Sequence, residues 1–77
     1  MKIGTVKGSV WATRKAGGLA GQTFLVVSAG GEELVAADQV GAGPGDRVLL
    51  VTGTAAGRFC MESPIDAAVV AILDPEK

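Results

Sequence analysis

Residues 38–46 read Asp38-Gln-Val-Gly-Ala-Gly-Pro-Gly-Asp46, and the apolar run Arg47–Thr52 follows at once. Three glycines and a proline in the five positions 41–45 exclude a regular element. Glycine permits positive φ at an entropic cost; Pro44 fixes its own φ and steers Gly43 away from the α region. The segment is therefore a tightly specified turn feeding a strand. A phosphate-binding glycine loop needs a helix after it, so that the helix N-terminus meets the anion. Here a strand follows and no Gly-Lys-Ser/Thr is present, so the turn reads as structural.

The rest of the chain repeats this pattern of short apolar runs stopped by turn residues. Residues 2–12 form a first strand, broken around Gly4 and Gly8, where a bulge or sharp bend is expected. Residues 13–21 are a projecting loop with a basic start, Arg14-Lys15. Residues 22–28 are a second strand with a continuous apolar centre, Phe-Leu-Val-Val. Gly30-Gly31 supply the positive φ of a primed hairpin turn, and Glu33–Asp38 is the third strand. After the fourth strand, Thr54 is placed to cap a single helical turn through Ala55 and Ala56. Residues 67–73, Ala-Ala-Val-Val-Ala-Ile-Leu, form a fifth strand. Alanine also permits a helix there, but Val-Val, Ile and the short length favour strand. Five short strands in 77 residues point to a small closed or nearly closed all-β barrel. Strands two and five are apolar on both faces, as expected if one face meets the core and the other a partner.

A chain this short buries only about 60% of its unfolded surface. Its apolar content is 48%, yet Trp11, Phe24 and Phe59 are the only aromatics. A core of small aliphatics is thin, and the usual supports are disulfides, metal or oligomerisation. Cys60 is the single cysteine and histidine is absent, so neither an internal disulfide nor a zinc set is available. Cys60 reads as a small buried hydrophobe. Oligomerisation remains. The net charge of −1, spread along the chain, provides no footprint for nucleic acid or an anionic membrane. No apolar run reaches the roughly 20 residues of a membrane span. Met1-Lys-Ile-Gly lacks the apolar stretch of a signal peptide, and one free cysteine suits a reducing cytoplasm.

No catalytic residue, metal ligand or cofactor site emerges. A triad needs a base, commonly histidine. Asp38, Asp46, Asp66 and Asp74 flank strands, as solvated strand-end charges do. Trp11 suits core packing or an interface anchor equally. The rival reading is an OB-type binding module for nucleic acid or a small ligand, but that function uses several aromatics in a basic groove.

Four stretches carry a resemblance. Lys2-Ile-Gly-Thr-Val-Lys-Gly-Ser-Val-Trp-Ala-Thr-Arg-Lys15 and Leu19-Ala-Gly-Gln-Thr-Phe-Leu-Val-Val27 look like the first two strands of the EutN/CcmL family, the vertex proteins of bacterial microcompartment shells. Val35-Ala-Ala-Asp-Gln-Val-Gly-Ala-Gly-Pro-Gly-Asp-Arg-Val-Leu-Leu-Val51 resembles the family's D-x-V-G-A-G-x-G-(D/E)-x-V signature. Pro64-Ile-Asp-Ala-Ala-Val-Val-Ala-Ile-Leu-Asp74 is similar to its P-(V/I)-D-A-x-(V/I)-x-x-I-(V/I)-D ending. The family's G-S-S-A-R after the fourth strand is replaced by Gly53-Thr-Ala-Ala-Gly-Arg58, and the Ala29–Glu32 hairpin is short.

The resemblance implies a five-stranded OB-like barrel with one short helix, assembled as a homopentamer. It further implies a non-enzymatic role in the bacterial cytoplasm. Such pentamers close the vertices of a polyhedral shell otherwise tiled by hexameric and trimeric shell proteins. The residues expected at subunit or shell contacts are Arg14 and Lys15 in the loop, Asp38 and Asp46 in the turn, and Thr54 and Arg58 near the ring axis.

Overall fold

The computed structural model describes residues 1–11, 17–19, 21–57 and 65–74. Five strands close into one barrel: β1 (Lys2–Val10), β2 (Phe24–Ala29), β3 (Glu32–Asp38), β4 (Arg47–Thr52) and β5 (Ala67–Ile72). One helical turn, α1 (Thr54–Gly57), lies between β4 and β5. Round the barrel the order is β1-β2-β3-β5-β4. All neighbours are antiparallel except β3 and β5, which pair in parallel at Ala37↔Ala68 and Asp38↔Val69. Among the described residues this is the expected OB-like barrel with one short α-helix, together with a 3-10 turn at Gly17–Leu19.

Strand β1 closes the barrel because it serves two neighbours. Lys2–Thr5 pair with β4, and Thr5–Val10 pair with β2, with a register shift between Val6 and Gly8. A bulge bends a strand and increases its twist, as a small barrel requires. The two glycines of β1 have different causes. Gly8 adjoins the bulge. Gly4 permits close packing: a Cβ there would lie 2.6 Å from Val27 Cγ1 and 2.8 Å from the Ser28 carbonyl oxygen. The β2–β3 hairpin turns at Gly30 (φ 60°) and Gly31 (φ 82°), the two positive angles of a type I′ turn.

The interior is filled by Val6, Leu25, Val27, Ala29, Ala36, Val48, Leu50, Ala67 and Val69. A second apolar cluster joins Ala37, Val51, Ala56 and Ala68, with Phe24, Ile65 and Val70 packed against it. Ala37, Val51 and Ala68 alternate with inward-facing neighbours, so this cluster lies on the outer barrel wall, beneath Ala56 of α1. Part of the two-faced apolarity of β5 is therefore satisfied within the subunit rather than by a partner. The helical turn begins one residue earlier than a Thr54 cap implies. The Ala56 N–H donates to the Gly53 carbonyl (3.1 Å), and Thr54 is the first helical residue. Gly53 has φ 66° and its N–H donates to the Asp66 carbonyl (2.7 Å), which ties the start of α1 to the approach to β5.

Candidate assembly surfaces

The 38–46 turn is held by its own two carboxylates. Asp38 Oδ1 accepts the N–H groups of Val40 (3.0 Å), Gly41 (3.0 Å) and Ala42 (3.3 Å). Asp46 Oδ2 accepts the N–H of Gly43 (2.9 Å). Such side-chain acceptors replace the ladder partners that a turn lacks. Gly41 (φ 79°) and Gly45 (φ 90°) supply the left-handed corners. The turn is then latched to the barrel. Val6 N–H donates to the Asp46 carbonyl (2.9 Å), and Gly45 N–H donates to the Val6 carbonyl (2.9 Å). Gln39 N–H donates to the Val69 carbonyl (3.1 Å), and Ala42 packs on the inner core. The backbone donors of residues 40–43 are already engaged, which is the physical reason this glycine loop is not an anion cradle.

Asp38 and Asp46 thus come together across one rigid turn. Thr54 opens α1 at another place on the barrel. Arg14, Lys15 and Arg58 lie outside the described residues, as does Cys60. Trp11 is 90% exposed, so the core option for it is removed.

Register reveals a surface pattern that sequence reading missed. Besides the row that runs Val10, Phe24, Ala37, Ala68 and Val51 into the α1 cluster, three rows of paired residues cross the outer wall. The first is apolar: Ile3 on β1, Leu49 on β4 and Ala71 on β5. The second is polar: Arg47, Thr5, Ser28 and Glu33 on β4, β1, β2 and β3. The third carries no polar side chain: Gly8, Val26 and Val35 on β1, β2 and β3. Ile3 is 53% and Val35 54% exposed, while Leu49, Ala71 and Val26 are half-buried. The period-two alternation of each strand encodes its outer residues; which ones align across strands depends on register and the bulges.

Among the described residues no group of three or more His, Cys, Asp or Glu side chains could hold a metal, and no polar side chain is buried. No described helix is long and apolar enough to cross a membrane. The grooves beside the rows are open and shallow. One is lined by Asp46, Arg47, Ile72 and Asp74, another by Lys2, Glu33, Val35 and Asp66. Neither gathers a nucleophile with a base.

Residues 1–74 match the family described as ethanolamine utilisation protein EutN/carboxysome. The chain is 46% identical over 83 aligned positions to the carboxysome shell vertex protein CcmL of Synechococcus elongatus, covering 96% of this chain and 84% of that protein. It is 36% identical to the bacterial microcompartment shell vertex protein EutN of Escherichia coli, covering 96% and 87%. Its structure superposes on the GrpN pentameric microcompartment shell protein of Rhodospirillum rubrum with a TM-score of 0.89 and 38% identity, over 100% of this chain and 98% of that one.

Proposed function

Because the chain belongs to the EutN/CcmL family, we propose that it is a structural subunit of a bacterial microcompartment shell, in which five copies form a ring that caps a vertex. The observation that carries this reading is the likeness along the whole chain to a pentameric shell protein, in fold and in sequence together. The mechanism is geometric. A heterologous contact that closes by rotation gives a ring of wedge-shaped subunits. Such a ring provides curvature that a flat sheet of hexamers lacks.

In this reading the protein is not an enzyme. Its partners are copies of itself and the hexameric and trimeric shell proteins around the vertex, in the bacterial cytoplasm. Arg14 and Lys15 contact a neighbour, and Thr54 and Arg58 stand near the axis. Asp38 and Asp46 act by holding the turn at a fixed angle in every subunit, since their carboxylates bond the turn's own backbone. The OB-type binding alternative is not favoured: among the described residues the groove beside the exposed Trp11 is lined by Ser9, Val10, Gly21, Gln22 and Thr23, with no basic side chain and no second aromatic, whereas such binding uses several aromatics in a basic groove.

Native mass spectrometry of the purified protein tests this. The expected result is a single pentamer at micromolar concentration; a stable monomer under the same conditions would overturn the reading. Co-expression with hexameric shell proteins should then yield closed shells that depend on this chain.

A further inference from the structure

We propose that the two outer rows that lack polar side chains and lie outside the α1 cluster are the two unlike halves of the ring contact: Ile3–Leu49–Ala71 of one subunit seats on Gly8–Val26–Val35 of the next copy. The inference rests on the ring reading above and assigns the surface that closes it.

Four observations carry it. First, a heterologous ring needs two different patches on each subunit, facing in different directions. The rows meet this condition, because one is centred on β4 and the other on β2, the strands that flank β1 on its two sides. Second, both rows leave apolar side chains in water: Ile3 is 53% and Val35 54% exposed. The comparable outward residues Ala37, Val51 and Ala68 are instead covered by the subunit's own α1 cluster. Third, Gly8 adjoins the β1 bulge, and unlike Gly4 it is required by no close packing contact inside the subunit. Its φ is not positive, and a Cβ there would meet nothing within 4 Å. Glycine inside a strand marks a bulge or a place where another chain approaches closely; Gly8 meets the first condition and leaves space for the second. A flat position beside Val26 leaves room for the branched Ile3 of a neighbour. Fourth, the rows are flanked by opposite charges. Arg47 stands two residues before Leu49, and Glu33 two residues before Val35, each pair on one face of its strand. Asp46 and Asp74 lie near Arg47, and Lys2 and Asp66 near Glu33, so the pairing is local rather than a contest of net charge.

The test uses two variants of the full chain, Ile3→Glu and Val35→Lys, chosen at exposed positions so that the barrel still folds. Circular dichroism and thermal melting check that it does. Each variant alone lacks one half of the contact and is expected to run as a monomer in native mass spectrometry. Mixed, they supply one intact half each: the Val35→Lys chain carries a good Ile3 row and the Ile3→Glu chain a good Gly8 row. The mixture is expected to give heterodimers that neither variant forms alone. A pentamer from either folded variant overturns the proposal, as does a mixture of folded variants with no heteromer. Rings that persist in both variants but fail to cap shells would assign the rows to hexameric shell partners, and that also overturns it. The wild-type control separates the two levels. A monomeric wild type removes the ring reading itself, whereas pentameric wild type with pentameric variants removes only this surface assignment.

Discussion

Asp38 and Asp46 grip the same turn from its two ends, and between them they accept four consecutive backbone N–H groups, those of Val40, Gly41, Ala42 and Gly43. Asp38→Ala removes three of these bonds at once. Leaving such donors without their acceptor is expected to lower stability by about 1 to 2 kcal/mol, moderated by solvent access. Asp38→Asn keeps an acceptor oxygen and should lose less. Urea denaturation, with Asp74→Ala as an exposed control, measures the difference; equal midpoints for Asp38→Ala and wild type would show that the carboxylate does not hold the turn.

Gly4 and Gly8 sit in one strand and should respond oppositely to alanine. At Gly4 the new Cβ meets Val27 and the Ser28 carbonyl, so the strands must part. A cost of about 1 to 3 kcal/mol is expected from overpacking. At Gly8 space is open and φ is not positive, so Gly8→Ala should leave the barrel as stable or raise its stability by about 0.5 kcal/mol through the unfolded chain. Thermal melting of the two variants decides. The larger Gly8→Val should fold as a barrel yet reduce ring formation, which native mass spectrometry reads.

The hairpin turn makes a different demand. Gly30 and Gly31 both have positive φ, and neither meets a neighbour that would exclude a side chain. The constraint there is backbone conformation alone. Gly30→Asn should be tolerated, because Asn enters the left-handed region readily, whereas Gly31→Val should cost about 1 to 2 kcal/mol. Comparable unfolding midpoints for the two would contradict a type I′ turn.

Ala68 is fully buried on the outer wall, under Ala56 of α1 and against Val51 and Ala37. Ala68→Leu should lift α1 off the barrel, with a loss of about 1 to 3 kcal/mol from overpacking. Hydrogen exchange should report it as faster exchange at the Ala56 amide, which is bonded to Gly53, while the inner strands stay protected.

Trp11 is the sole tryptophan and is 90% exposed. Trp11→Ala should change monomer stability by less than about 0.5 kcal/mol, as exposed substitutions do. Its emission maximum should be that of a solvated indole in dilute monomer. A blue shift as concentration drives assembly would identify it as a contact; a buried spectrum in the monomer would contradict its position at the end of β1.

Secondary structure was legible in the sequence because its causes are local. Turn glycines, the Pro44 corner and period-two apolar runs act over a few residues. The bounds of β4 agree with expectation to the residue, and those of the other strands to within two. The family was legible too, because the motif around 38–51 is dense and specific. Local chemistry also placed Gly30-Gly31 in a primed turn, where two positive angles are needed whatever the rest of the chain does.

Other features depended on which strands meet. Gly4 and Gly8 look alike in sequence; one is required by the approach of Val27 and Ser28, whereas the other adjoins the β1 bulge with open space around it. Asp38 and Asp46 read as solvated strand-end charges, and only the closed turn directs both carboxylates onto its own amides. The apolar outer faces of β2 and β5 look equivalent in sequence. The barrel order places Ala68 under α1, and the pairing of β2 with β1 and β3 aligns Val26 with Gly8 and Val35. Alternation along a strand tells inward from outward. Alignment between strands is set by register, bulges and closure, which are properties of the whole barrel.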